Sequence, residues 1–176
     1  MAESKFDKPF VVIDLGSGRY TIDSEGHEKH NELKNTLTGK FYGYCPPLGN
    51  LNIKKLGAKS GEIAVSGVTV IYVKKVPGSS NRVITSYIKD ATVYGHPQDG
   101  KPLNRLVNTA WGPEYATYSI ESDDLVKIED IPQAEKFIIN LKDYNPWMFR
   151  MQRFYKGTYP KLDAEIIAYL DSIENR

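Results

Sequence analysis

The sequence predicts an α+β fold: a small curved mixed β-sheet or barrel with peripheral helices and an amphipathic helix at its C-terminal end. Three observations predict it. Gly67 to Lys75 is a β-branched run (Val68, Thr69, Val70, Ile71, Tyr72, Val73), and a loop at residues 77–81 turns it back onto Arg82 to Ile88. This is the pattern of a β-hairpin. Lys89-Asp90 breaks the alternation before Ala91 to Tyr94 resumes it, as a bulge that bends a strand would. Leu162, Ile166, Leu170 and Ile173 form one stripe within Lys161 to Glu174, the spacing of a helix with one buried face. A length of 176 residues suits a single domain, 1–176, with a basic β core over 39–107 and an aromatic tail and helix over 144–176.

The remaining elements follow in order. Phe10 to Leu15 reads as a buried strand ended by Gly16-Ser17-Gly18, and Arg19 to Ile22 as a short second strand. His27 to Thr38 is polar, a loop or short helix. Phe41 to Tyr44 is strand-like and stops at Pro46-Pro47, which fixes an extended turn. Asn50 to Leu56 alternates Leu51, Ile53 and Lys55 with Asn52, Lys54 and Leu56, an edge strand. Beyond Gly95 the chain is expected to loosen through residues 96–100. Tyr115 to Ile120 and Phe137 to Leu141 supply short elements, and Tyr144 to Tyr159 is dense in aromatics.

Composition sets limits on function. The single Cys45 cannot form an internal disulfide, and the N-terminus does not resemble a signal peptide, so the expected setting is cytoplasmic. The longest apolar runs fall far short of the ~20 residues that span a bilayer, and no membrane partner is expected. Charge is uneven: residues 34–107 carry eleven Lys or Arg against three acids, in a chain whose net charge is +1. That excludes a generic duplex-coating protein, whose affinity grows with the number of phosphates neutralised. It points instead to one localised basic face.

Three motifs are weighed for chemistry. Val11-Val12-Ile13-Asp14-Leu15-Gly16-Ser17-Gly18 resembles the first glycine-rich turn of class I methyltransferases and the first phosphate loop of actin-like ATPases. The methyltransferase turn needs a further Gly near Tyr20 and then a long apolar-striped helix, and the actin-like fold needs a far longer chain. A tight turn after a strand is the better reading. His27, His30 and His96 lack zinc-site spacing, and one Cys without a CxxC does not help. Asp130, Glu135 and Lys136 lack nuclease spacing, and Asp123-Asp124 reads as a solvated helix start. No catalytic residues, metal or cofactor are expected.

What remains is an aromatic and basic constellation. Tyr42, Tyr44, Tyr72, Tyr87 and Trp111 are candidate pocket walls, because stacking a base on such rings contributes roughly 1–3 kcal/mol each. Asn50, Asn52, Ser86 and Asp90 are candidates for the Watson–Crick edge of a flipped base. Lys54, Lys55, Lys59, Lys74, Lys75, Arg82 and Lys89 are candidate phosphate contacts. The bland counterpart is that the tyrosines pack within the sheet and the cations solvate its edges.

The stretches GKFYGYCPPLGNLNIKKLGA, GVTVIYVKK and NRVITSYIKDATVYG, with YNPWMFRMQRFY further on, resemble a region found ahead of HNH-type nuclease domains in bacterial modification-dependent restriction proteins. The resemblance covers residues 39–95 well and the rest loosely. It implies a modified-DNA reader related to the PUA-like barrels of the SRA, EVE and YTH types. Tyr72 stands where the family has Trp, Tyr87 matches its Tyr, Asp90 replaces an Asn and Gly95 replaces an Arg. The expected function is a non-catalytic nucleic-acid-binding module, DNA favoured over RNA, with a nuclease as partner or neighbouring domain. A protein-interaction domain using the aromatic tail and a small methyltransferase using the Asp14–Gly18 turn are the alternatives.

Overall fold

The computed structural model describes residues 4–15, 30–46, 48–76, 78–128, 137–144 and 153–175. The fold is α+β. An eight-stranded sheet runs in the order β10 (Arg153–Tyr155), β1 (Phe10–Asp14), β3 (Ala64–Lys75), β4 (Asn81–Gln98), β7 (Tyr118–Ser122), β2 (Phe41–Gly43). β8 (Val126–Lys127) and β9 (Ile138–Asn140) also pair with β4. β5 (Leu106–Thr109) and β6 (Gly112–Tyr115) form a separate hairpin, and α1 (Pro160–Glu174) ends the chain. Among the described residues the end strands β10 and β2 do not pair, so the sheet is open and the expected barrel is not closed.

β1 pairs parallel with β3 and antiparallel with β10. A strand held on both sides and covered on both faces reads as a continuous apolar run, and all five residues of Phe10–Asp14 are buried. The two faces build two cores. Phe10, Val12, Ile71, Val73, Ile84 and Tyr87 meet Leu162, Ile166 and Leu170 of α1. On the other side Val11, Ile13, Val70, Tyr72 and Ile88 pack under Cys45, Leu51, Ile53 and Leu56. Each aliphatic side chain so buried contributes ~1.5–3 kcal/mol.

The hairpin forms as expected but is longer: β4 runs to Gln98, so the loosening expected from residue 96 begins only at Asp99. The bulge is at Lys89-Asp90, where Val68↔Ala91 steps to Val70↔Ile88 with one extra residue on β4. The helix stripe also holds, with Leu162, Ile166 and Leu170 buried. α1 opens on Pro160, which is pre-organised for a first helical position. Gly157 N–H donates to Asp163 Oδ2 at 2.7 Å in that first turn.

Three expectations are corrected. Asn50 to Leu56 is not a strand: Ile53–Leu56 is a 3-10 turn, because Ile53 and Leu56, three residues apart, bury together. The Tyr115–Ile120 run is split between β6 and β7 at Ala116-Thr117. Asp123-Asp124 is exposed in a bend that leads into β8, a strand, and so does not start a helix. The expectations for Gly16-Ser17-Gly18, Arg19–Ile22, His27, Asp130, Glu135, Lys136 and residues 145–152 lie outside the described residues.

Candidate nucleic-acid interface

The 3-10 turn is where sequence chemistry becomes a surface. Ile53 and Leu56 point into the core, and Gly57, at φ 101°, closes the turn by donating to Ile53 O and Lys54 O. Only glycine takes that left-handed conformation at no steric cost. The residues between the two anchors, Lys54 and Lys55, are therefore turned out to solvent. They stand on the rim of a groove of about 560 Å³.

Backbone ladders fix its walls. Leu51 N–H donates to Gly95 O at 3.2 Å, and Gly95 N–H donates to Ile63 O at 3.0 Å, so the turn, β4 and the approach to β3 are tied at one point. β10 supplies the far side. Tyr155 Oη accepts from Asn52 N–H at 2.8 Å, and Lys55 Nζ lies 5.3 Å from the centre of the Tyr155 ring. Burial raises the Tyr155 hydroxyl above its ordinary pKa. Arg153 Nη1 donates to Pro46 O at 3.1 Å and sits 3.0 Å from Cys45 Sγ. Exposed Asn50, Asn52, Ile63 and His96 complete the lining, with Glu62 as its one acid among the described residues.

Four of the sequence candidates converge here: Asn50, Asn52, Lys54 and Lys55. The aromatic candidates do not. Tyr72 and Tyr87 are both fully buried and belong to opposite cores, because Tyr72 pairs with Ser86 while Tyr87 pairs with Ile71. Neither ring can take a base. Burial raises the pKa of both hydroxyls; Tyr87 also donates to Glu174 Oε2 at 2.7 Å, whereas Tyr72 Oη has no partner among the described residues. Tyr42 is buried edge-on against Tyr118, ring centres 4.8 Å apart. Tyr44 is buried and pinned through its backbone by Asn31, with both hydrogen bonds at 2.8 Å. Ser86 is buried, Asp90 faces a pocket shared with Asp123 and Asp124, and Trp111 is 96% exposed at the β5–β6 turn.

The cations divide in the same way. Arg82 is buried and donates through Nε to Asp14 Oδ2 at 2.7 Å. Lys74 pairs with Glu32 at 2.5 Å and Lys89 with Glu174 at 2.8 Å. These three are spent on the fold, and Asp14 is spent with them, which removes its side chain from the methyltransferase reading. Lys54, Lys55, Lys59 and Lys75 are exposed and make no ion pair among the described residues.

The chain matches no protein-family model, no curated protein and no solved structure. The groove must therefore be read from its own chemistry. Among the described residues no three His, Cys, Asp or Glu side chains cluster closely enough to hold a metal ion, and no helix is long and apolar enough to cross a membrane. Of the aromatic tail, Tyr144, Phe154 and Tyr159 pack inward on one another and on the α1 side of the sheet. Sequence reasoning missed His96, Arg153 and Tyr155. The alternation Arg153-Phe154-Tyr155, with Phe154 on the helix side and its neighbours on the groove side, was the available signal.

Proposed function

We propose that the protein is a non-catalytic nucleic-acid-binding module, reading DNA in preference to RNA, and that the groove beside the 3-10 turn is its site. One observation carries the reading: Lys54 and Lys55, without carboxylate partners among the described residues, flank a groove that also offers the amides of Asn50 and Asn52, His96 and the apolar Ile63. Phosphates take the lysines, and an unpaired base lies in the groove against Ile63, His96 and the edge of Tyr155. Phosphate contacts position the strand; the amides discriminate the base. The further reading, a modified base within a restriction system and a nuclease partner, rests on the resemblance of residues 39–95 alone.

Fluorescence anisotropy on unmodified, methylated, hydroxymethylated and glucosylated oligonucleotides, single- and double-stranded, tests this. Salt-dependent binding that Asn50→Ala or Asn52→Ala weakens selectively for one of them supports the module. Absence of binding to every strand at low salt rejects it.

A further inference from the structure

β2 lies at the opposite end of the strand order from β10, and a second cavity, of about 250 Å³, opens beside it. We infer that this cavity is a binding site for a phosphate group. It shares no lining residue with the groove, and the inference does not depend on the proposed function.

The floor is Arg105, only 2% exposed. Its guanidinium donates to carbonyls alone: Nη1 to Ala116 O and Thr117 O, at 3.3 and 2.5 Å, and Nη2 to Tyr42 O at 3.1 Å. One face stacks on Tyr118, with Cζ 5.9 Å from the ring centre. No carboxylate among the described residues pairs with it. Nε makes no hydrogen bond among the described residues, and Arg105 lines the cavity. A buried cation satisfied only by dipoles is costly, and burial pulls its pKa down to about 10. A bound anion supplies the missing countercharge to a guanidinium that lines the cavity.

The sign and size of the ligand follow from the walls. Lys34 stands exposed at the mouth without an ion pair, so the lining carries two cations and, among the described residues, no acid. A phosphate group carries about −1.5 to −2 at neutral pH and matches that charge better than a single carboxylate does. The volume is about eight waters' share of liquid, at ~30 Å³ each, enough for a tetrahedral oxyanion and small for a whole nucleotide. Two hydrogen bonds tie the walls to each other: Asn35 Nδ2 donates to Leu103 O at 2.8 Å, and His30 Nε2 donates to Leu106 O at 2.9 Å.

The test titrates inorganic phosphate into the full chain at constant ionic strength, balanced with chloride. The expected result is a saturable rise in Tm together with movement of the Arg105 Nε–H resonance. Lys34→Gln, a change at an exposed side chain, leaves the phosphate-free Tm in place and weakens phosphate binding about tenfold. A 5′-phosphorylated dinucleotide compared with its unphosphorylated twin shows whether the phosphate belongs to a larger molecule or is free. Equal effects from acetate overturn the phosphate assignment. So does a Tm that phosphate raises no more than chloride, a stationary Arg105 resonance, or undiminished affinity in Lys34→Gln.

Discussion

Arg82 sits in the basic segment and looks from sequence like a phosphate ligand, so its replacement separates structure from function. In the fold it bridges β4 to Asp14 at the end of β1, across the intervening β3, at 2.7 Å, with side-chain exposures of 9% and 0%. Nη1 also donates to Ser80 O at 2.7 Å. Arg82→Met removes the cation and leaves a carboxylate sealed in the sheet, a change that costs about 3–5 kcal/mol. Unfolding entropy of roughly 2.1 cal/mol/K per residue, over 176 residues, is about 0.37 kcal/mol/K, so Tm should fall by about 8–14 °C. The double variant Asp14→Leu/Arg82→Met removes both charges and should lose less than Arg82→Met alone. Guanidinium denaturation and calorimetry at pH 7 read both quantities. A loss under about 1 kcal/mol in Arg82→Met, or a variant that keeps its stability but loses oligonucleotide affinity, would refute the structural assignment.

Other consequences follow from the same packing. Tyr72→Phe removes a buried hydroxyl that has no partner among the described residues and should leave stability unchanged or raise it by up to about 1 kcal/mol, whereas Tyr87→Phe breaks the bond to Glu174 and should cost about 1–2 kcal/mol. The reverse order in thermal melts would contradict the burial argument. Gly43→Ala places a methyl against Tyr72 Oη and 3.2 Å from Ile120 Cβ, and should cost about 1–3 kcal/mol by chemical denaturation. Burial raises Glu174, but the hydrogen bonds from Lys89 and Tyr87 overcome it and hold the carboxyl below its ordinary 4.5. A depressed folded-state pKa gives stability that is present above 4.5 and is lost as pH falls through the lower value. Glu174→Gln should therefore flatten the acid limb of the stability–pH curve, and an unchanged limb would show that the Glu174 contacts do not persist in solution.

How far this was legible depends on where each residue's partner lies. The β3–β4 hairpin and the Lys89-Asp90 bulge are local, so alternation and its interruption reveal them. The helix stripe at Leu162, Ile166 and Leu170 is equally local. The parallel pairing of β1 with β3 joins residues more than fifty apart, and no period records it. Leu51 and Ile53 satisfied the strand template, while the pair that decided the structure was Ile53 with Leu56 at a spacing of three. The tyrosines misled because a strand covered on both faces buries every position: Tyr72 and Tyr87 look like neighbours in a hairpin but face opposite cores. In the site, the Lys54–Lys55 turn and the Asn50 and Asn52 amides were readable from one short segment. Arg153, Tyr155 and His96 reach the groove only through tertiary pairing.

The most direct test of the groove is charge reversal at its rim. Lys54→Glu/Lys55→Glu changes two exposed side chains outside both cores, so folding should be retained. Anisotropy of a labelled oligonucleotide between 50 and 200 mM salt should then show affinity lost, and a salt slope shallower by about 0.7–0.9 for each phosphate contact removed. The same reversal at Lys74 and Lys89, already paired with Glu32 and Glu174, should destabilise the fold without removing the groove's phosphate contacts. Parent-like affinity and slope in a folded Lys54→Glu/Lys55→Glu protein would contradict the assignment of this groove as the nucleic-acid interface.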